Sequence, residues 1–315
     1  MTGPVISLRG LTKCYGRFEA VSDLTFDINA GTIFGFVGAN GAGKTTTMRM
    51  LCGLTRPTRG FATIGGADAW RKRHAVRSKF GYVAQRFSLY RDLTVVENFR
   101  FFAGAHRVSS RKIEERINQV LSLIDLEAKR DAPAGSLSGG MRQLLSLGCA
   151  IIHDPPLLFL DEPTSGLDPV HRQQIWDLLY DFSNRGVTIF VTTHYMDEAE
   201  RCTEVGFLAR GTLLAKATPR TLIHSFRVRL LEVNIEPVMA ALVKLRHEAG
   251  VLGVSLRSGR LRVYSAEPER LVERWKTQWS FPDLEFKGER WVEPDMEDVF
   301  TTYSQGYDAM VKPIS

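Results

Sequence analysis

The sequence predicts an α/β fold followed by a small α+β domain. Three observations carry this: a glycine-rich phosphate-binding loop at 38–45, an apolar run that ends in two carboxylates at 157–162, and a change of pattern past residue 218. The 315 residues are 44% hydrophobic, which suits one large domain and a small one.

Gly38-Ala39-Asn40-Gly41-Ala42-Gly43-Lys44-Thr45 fits G-x-x-x-x-G-K-[ST]. It follows the apolar run Ile33–Val37, read as a buried strand, and opens the helix-prone stretch 45–51. Gly38, Gly41 and Gly43 let the backbone curl, so that the loop N–H groups, those of Asn40 and Ala42 included, face phosphate oxygens. The start of the next helix adds about half a positive charge. Lys44 would reach the β- and γ-phosphates of ATP, Thr45 would hold Mg²⁺, and Thr46 would touch the α-phosphate.

Pro155-Pro156 ends a helix, and the apolar residues 157–160 read as a strand buried on both faces. Asp161 and Glu162 then emerge at its C-terminal edge, where open α/β sheets place their ligands. Asp161 would bind Mg²⁺ through water, and Glu162 would orient and polarise the attacking water. Ser138-Gly139-Gly140 precedes a helical pattern at 141–152. Small residues at a helix start form a second anion site, redundant beside the first loop unless it serves another nucleotide. Taken alone, Ser-Gly-Gly also reads as a plain loop.

Together these pieces resemble the ATP-binding subunit of an ATP-binding cassette (ABC) transporter, over roughly residues 5–225. The resemblance implies a P-loop NTPase fold with a mixed β-sheet core and an inserted α-helical subdomain at about 86–150. It implies that two cassettes meet head to tail, the signature loop Leu137-Ser138-Gly139-Gly140-Met141 of one closing over ATP held by the other. By the same resemblance, Gln85 senses Mg²⁺ and the membrane partner, Ser165-Gly166-Leu167-Asp168 links the two sites, His194 contacts the γ-phosphate, and Tyr15 stacks on adenine. With no catalytic position altered, ATP hydrolysis is expected, with Glu162, His194 and Lys44 as its catalytic residues.

Cys14, Cys52, Cys149 and Cys202 show no metal-ligand spacing, as expected in a reducing cytosol. The N-terminus has no charged-then-apolar signal pattern, and no run reaches the ~18 apolar residues that span a bilayer. The longest candidate, 144–160, is broken by His153-Asp154-Pro155-Pro156. The channel is therefore expected on another chain, with this one peripheral on the cytoplasmic face of the inner membrane. The net charge of +6 gathers most densely at Arg71, Lys72, Arg73, Arg77 and Lys79, read as a solvated helix face or a contact with anionic head groups. Few aromatic residues interleave with it, so nucleic acid is not expected as a partner.

Thr94-Val95-Val96-Glu97 is a capping box, and Ile113, Ile117, Val120, Leu121 and Ile124 recur at helical spacing. In the resemblance this helical region docks a helix of the permease, with Phe87, Leu89 and Tyr90 as contacts. Thr218-Pro219 starts a last short helix of the cassette. Beyond it, 226–235 reads as a strand with a phase change at Leu230-Leu231, and Pro237 opens a helix. A hairpin follows around Ser258-Gly259, then a helix at 268–278 and a strand at 284–286. That order, βαββαβ over a domain at 226–315, is ferredoxin-like, with a regulatory or dimerising role. The tail Pro294-Asp295-Met296-Glu297-Asp298-Val299-Phe300 resembles the C-terminal segment of ATP-binding subunits from bacterial ABC-2-type exporters of drugs, polysaccharides and lipids.

The expected function is an ATPase that dimerises on ATP, as a homodimer, and drives export through a separate permease. An importer subunit shares every catalytic residue, and a soluble ABC ATPase acting on ribosomes or DNA is a reading from another class. The single cassette and the short insert at 86–137 argue against the second.

Overall fold

The computed structural model describes residues 3–85, 87–226, 229–307 and 310–311, which divide into two compact units, Met1–Lys216 and Ala217–Ser315. In the first, β1 (Ile6–Tyr15) and β2 (Phe18–Ile28) form a long antiparallel pair, and β3 (Ile33–Val37) runs into α1 (Lys44–Leu51). Then come β4 (Arg59–Ile64), β5 (Ala67–Asp68), α2 (Arg73–Arg77) and β6 (Phe80–Val83). Three helices follow, α3 (Val95–Ala105), α4 (Ile113–Leu123) and α5 (Gly139–Ile151). The unit ends with β7 (Leu157–Asp161), α6 (Pro169–Asn184), β8 (Thr188–Thr193), α7 (Met196–Ala199), β9 (Glu204–Ala209) and β10 (Thr212–Ala217).

Two sheets result. One has the order β2-β1-β4-β5, and the other β10-β9-β3-β8-β7-β6, in which β9, β3, β8, β7 and β6 are parallel neighbours. Strands β3, β7 and β8 are buried at every residue, as continuous apolar runs covered on both faces should be. The core between the sheets is aromatic: Phe26 meets Phe34 at 5.5 Å between ring centroids, and Phe34 meets Phe190 at 5.4 Å. Each such ring contributes about 1.5–3 kcal/mol by leaving water. This slab fixes the C-terminal ends of β3, β7 and β8, from which the candidate site is built.

The helical part starts as its capping box dictates. Thr94 Oγ1 accepts the Glu97 N–H (3.2 Å), and Glu97 accepts the Thr94 N–H in return (2.8 Å). Ile117, Val120, Leu121 and Ile124 are buried at the spacing their pattern predicts.

The second unit contains α8 (Pro219–His224), β11 (Leu230–Glu236), α9 (Val238–Leu245), β12 (Gly253–Arg257), β13 (Arg260–Tyr264), α10 (Pro268–Thr277), β14 (Glu285–Val292) and α11 (Met296–Gln305). Its sheet is antiparallel, in the order β12-β13-β11-β14. The phase change at Leu230-Leu231 has a plain cause: both faces of β11 are covered. Leu231, Val233 and Ile235 pack with Ala241, Leu245, Leu271 and Trp275, whereas Leu230 packs with Tyr264 and Met310. Two expectations need correction. The first strand begins at Leu230 rather than 226, residues 227 and 228 lying outside those described, and Phe226 instead forms a lone bridge with Val311. The last strand runs to Val292, well past 286, because it pairs along all of β11. Its pattern is masked by Lys287, Glu289 and Arg290, of which Arg290 pairs with Glu232 at 2.6 Å.

Among the described residues no helix is long and apolar enough to cross a membrane, and the four cysteines are free.

Candidate active site

The phosphate-binding loop hangs between β3 and α1. Gly38 N–H donates to the Thr193 carbonyl at the end of β8 (3.3 Å), and Gly43 precedes the helix with φ +109°. Crowding as well as conformation demands glycine here. A Cβ on Gly43 would lie 2.5 Å from the Ala20 carbonyl oxygen, and one on Gly38 would overlap that of Leu208. The loop walls a cleft of about 430 Å³, lined by Tyr15, Phe18, Asn40, Gly41, Gly43, Lys44, Thr45, Thr46, Gln85 and Glu162. Ala42 is buried behind it. Tyr15 is 49% exposed and Phe18 64%, so aromatic surface faces the cleft's open side, while Lys13 Nζ lies 5.0 Å from the Tyr15 ring centre.

Charge concentrates at the cleft floor. Lys44 Nζ donates to the carbonyls of Gly38 (2.7 Å) and Ala39 (3.2 Å) and lies 3.2 Å from Glu162 Oε1. Their side chains are only 4% and 7% exposed. Gln85 Nε2 donates to Glu162 Oε2 (3.2 Å). His194 Nδ1 is 3.2 Å from the same oxygen, close enough to pair with it yet not aligned for a hydrogen bond. Glu162 itself has φ +48°, a conformation costing about 1–3 kcal/mol in a residue with a side chain. Its N–H is held by both the carbonyl (3.1 Å) and the hydroxyl (3.0 Å) of Thr192. Beside it, Asp161 Oδ1 accepts from Thr192 Oγ1 (2.6 Å) and Thr45 Oγ1 (3.2 Å). Burial raises the Asp161 pKa, and those two hydrogen bonds oppose it. A carboxylate, a hydroxyl and a neighbouring amide are hard oxygen donors of the kind Mg²⁺ takes, so Asp161, Thr45 and Gln85 fit that ion.

The structure thus brings together Lys44, Thr45, Gln85, Asp161, Glu162 and His194 from four separate stretches of the chain. Ser138, Gly139 and Gly140 are placed elsewhere, at the start of α5, outside the lining of this cleft. Ser138 caps that helix, its Oγ accepting the Met141 N–H at 3.2 Å. Asp168 caps α6, accepting from the N–H groups of Val170 (3.0 Å) and His171 (3.1 Å).

Two supporting residues escape the sequence pattern. Thr192 braces both carboxylates, as described above. Glu198, buried, receives Thr193 Oγ1 (2.6 Å) and Thr164 Oγ1 and pairs with Arg172 (3.1 Å). It therefore ties the segment after Glu162 to the end of β8, next to His194. The run of hydroxyls and acids at 192–200 was the available signal, but it reads equally well as a solvated helix start.

Known proteins resemble this chain in sequence and fold. Residues 21–165 match the family model described as ABC transporter. The chain is 43% identical over 215 residues to the probable multidrug ABC transporter ATP-binding protein YbhF of Escherichia coli, covering 68% of this chain and 37% of that protein. It thus spans little more than a third of that relative's length. It is 38% identical over 257 residues to the Nod factor export ATP-binding protein I of Cupriavidus metallidurans, covering 80% of this chain and 85% of that protein. Among solved structures, an ATP-binding subunit of an ABC transporter superposes with a TM-score of 0.65 at 30% identity, over 70% of this chain and 92% of that one. The dimeric ATP-binding cassette MJ0796 with ADP and Pi superposes with a TM-score of 0.63 at 26% identity, over 68% of this chain and 98% of that one. At 38% identity over most of both chains, and with the matching fold, the chain belongs to the family of ABC transporter ATP-binding proteins.

Proposed function

We propose that this chain is the ATP-hydrolysing subunit of an exporter, which dimerises on ATP and powers a separate transmembrane permease. The observation that carries the proposal is the Glu162 carboxylate, buried at the cleft floor and reached by Lys44, Gln85 and His194 at 3.2 Å each. The loop N–H groups and Lys44 would cradle the phosphates, and Tyr15 would stack on the adenine. Mg²⁺, held by Thr45, Asp161 and Gln85, would neutralise charge on the β- and γ-phosphates. Glu162 would take a proton from the attacking water, and His194 would hold the γ-phosphate and steady Glu162.

Because Ser138, Gly139 and Gly140 do not line their own chain's cleft, they are free to close the ATP site of a second cassette, a copy of this chain. The permease would dock beside the segment that follows Gln85. There a cavity of about 260 Å³ is lined by Leu54, Leu89, Phe102 and His106. Tyr90 and Phe101 stand nearby, half exposed, with ring centroids 4.7 Å apart. Phe87 lies under Arg142 of the signature helix (5.9 Å), a route from the dock to the signature. The second unit, a ferredoxin-like βαββαβ domain in this reading, regulates or dimerises. The assembly sits peripherally on the cytoplasmic face of the inner membrane, with no nucleic acid involved.

A pull-down of tagged Glu162→Gln protein from solubilised native membranes with ATP and Mg²⁺ tests this. Stoichiometric recovery of a polytopic permease is expected. Recovery of ribosomes, or of soluble proteins alone, would overturn the reading.

A further inference from the structure

The two adjacent signature glycines sit in different surroundings. A Cβ on Gly139 would meet nothing within 4 Å, whereas one on Gly140 would be driven into the His171 ring, 2.5 Å from Nε2. That ring is not free to swing away. Its Nδ1 is bonded to Asp168 Oδ2 at 2.6 Å, while Asp168 Oδ1 holds the Val170 and His171 N–H groups. These hydrogen bonds from His171 keep Asp168 below the usual carboxylate range. The imidazole therefore fills the space where a side chain at 140 would go, and it is anchored by the last residue of the loop 165–168.

We propose that His171 is a positioning residue that sets the first turn of the signature helix in register with the 165–168 loop of the same chain. The inference rests on the dimeric reading above, in which one motif faces the partner's nucleotide and the other runs between the two sites. A displacement of that loop on dimerisation would then reach the signature through one ring contact, without passing through the sheet. His171 thus gives Gly140 a steric reason to be glycine, whereas no atom within 4 Å gives Gly139 one.

The test uses the full-length Glu162→Gln chain with the added changes Gly139→Ala, Gly140→Ala, His171→Ala, and Gly140→Ala with His171→Ala. For each, melting temperature, affinity for a fluorescent ATP analogue, ATP-Mg²⁺-dependent dimerisation by sedimentation, and amide exchange at 139–142 without nucleotide are measured. All four are expected to keep the parent's nucleotide affinity. Gly139→Ala, His171→Ala and the double variant are expected to keep the parent's melting temperature, whereas Gly140→Ala alone should melt lower, because its Cβ meets an anchored ring. His171→Ala should weaken dimerisation about tenfold and Gly140→Ala about ten- to a hundredfold, the scale on which disturbing a central interface contact changes affinity. The double variant should be no worse than His171→Ala, since removing the ring removes the clash. Amide exchange at 139–142 should rise in His171→Ala. Losses at 140 and 171 that simply add, or unchanged exchange in His171→Ala, would overturn the proposal. A parent that fails to dimerise would instead count against the dimeric reading, and the exchange result would still decide the role of His171.

Discussion

Lys44 Nζ lies 3.2 Å from Glu162 Oε1, and both side chains are almost wholly buried. One salt bridge thus joins the residue that would bind phosphate to the residue that would activate water. Phosphate oxygens would compete with Glu162 for the lysine, so the carboxylate would gain freedom to act only when the cleft is filled. A buried pair broken from one side leaves an uncompensated charge, so each partner is needed by the other.

Lys44→Ala should lower nucleotide affinity by roughly ten- to a hundredfold, the worth of one charge-assisted hydrogen bond. Equilibrium titration with a fluorescent ATP analogue measures this. Unchanged affinity would remove Lys44 from the phosphate site.

A second prediction concerns acid. Burial, together with the His106 ring stacked on it at 3.7 Å, pushes the His153 pKa down to about 4. An unfolded histidine titrates near 6.5, so between that value and about 4 the unfolded chain binds a proton that the folded chain refuses. This contribution to stability is present above about 6.5 and is lost as pH falls toward 4. Arg116 and Asp154 also act on this ring, and His153 Nε2 contacts the Phe80 carbonyl at 3.2 Å. Melting temperatures from pH 7 to 4.5 should fall less steeply in His153→Gln than in the parent. Parallel curves would contradict the assignment.

Within the C-terminal unit, Arg262 is the hub. It contacts Asp298 at 2.5 Å, Asp295 at 2.8 Å and Glu232 at 3.7 Å, and the Tyr264 hydroxyl donates to Asp298 at 2.9 Å. Asp298 is fully buried, and burial pushes its pKa up to about 6. Arg262→Ala would leave buried carboxylates without their cation, at a cost of about 3–5 kcal/mol. Urea unfolding of the full chain should show it, and amide exchange should rise at 296–305. A loss under 1 kcal/mol, on the order of a surface ion pair, would refute the hub.

The thiols give a cheap check of the fold. Burial pushes Cys52 and Cys149 well above the ordinary thiol range and raises Cys202 too, whereas Cys14 is half-buried on β1. A thiol reagent should label Cys14 first, since the thiolate is the reacting form. Equal labelling of all four in the folded chain would contradict the packing.

What could be read in the sequence was what is local. The loop at 38–45 states its own conformation through its glycines, and 157–160 shows its burial as an unbroken apolar run. The capping box at Thr94 is equally local, closing within four residues. The residues that escaped notice act across the fold. Thr192 and Glu198 are ordinary polar residues until the chain brings them under Asp161 and beside Thr164. The ring of His171 meets Gly140 only because α5 and α6 lie side by side, a contact no spacing announces. Strand β14 was hidden for another reason, since its charged residues pair with partners on β11 and α10, which no local pattern announces.

In the proposed cycle Glu162 activates the water that attacks ATP, and hydrolysis lets the ATP-held dimer part. The most direct measurement compares the parent with Glu162→Gln for steady-state phosphate release and for sedimentation with ATP and Mg²⁺. Turnover should fall by about 10²–10⁴-fold, the worth of a positioned general base, with ATP affinity kept and dimer accumulating. Near-normal phosphate release from Glu162→Gln, or a chain that stays monomeric with ATP bound, would contradict the account.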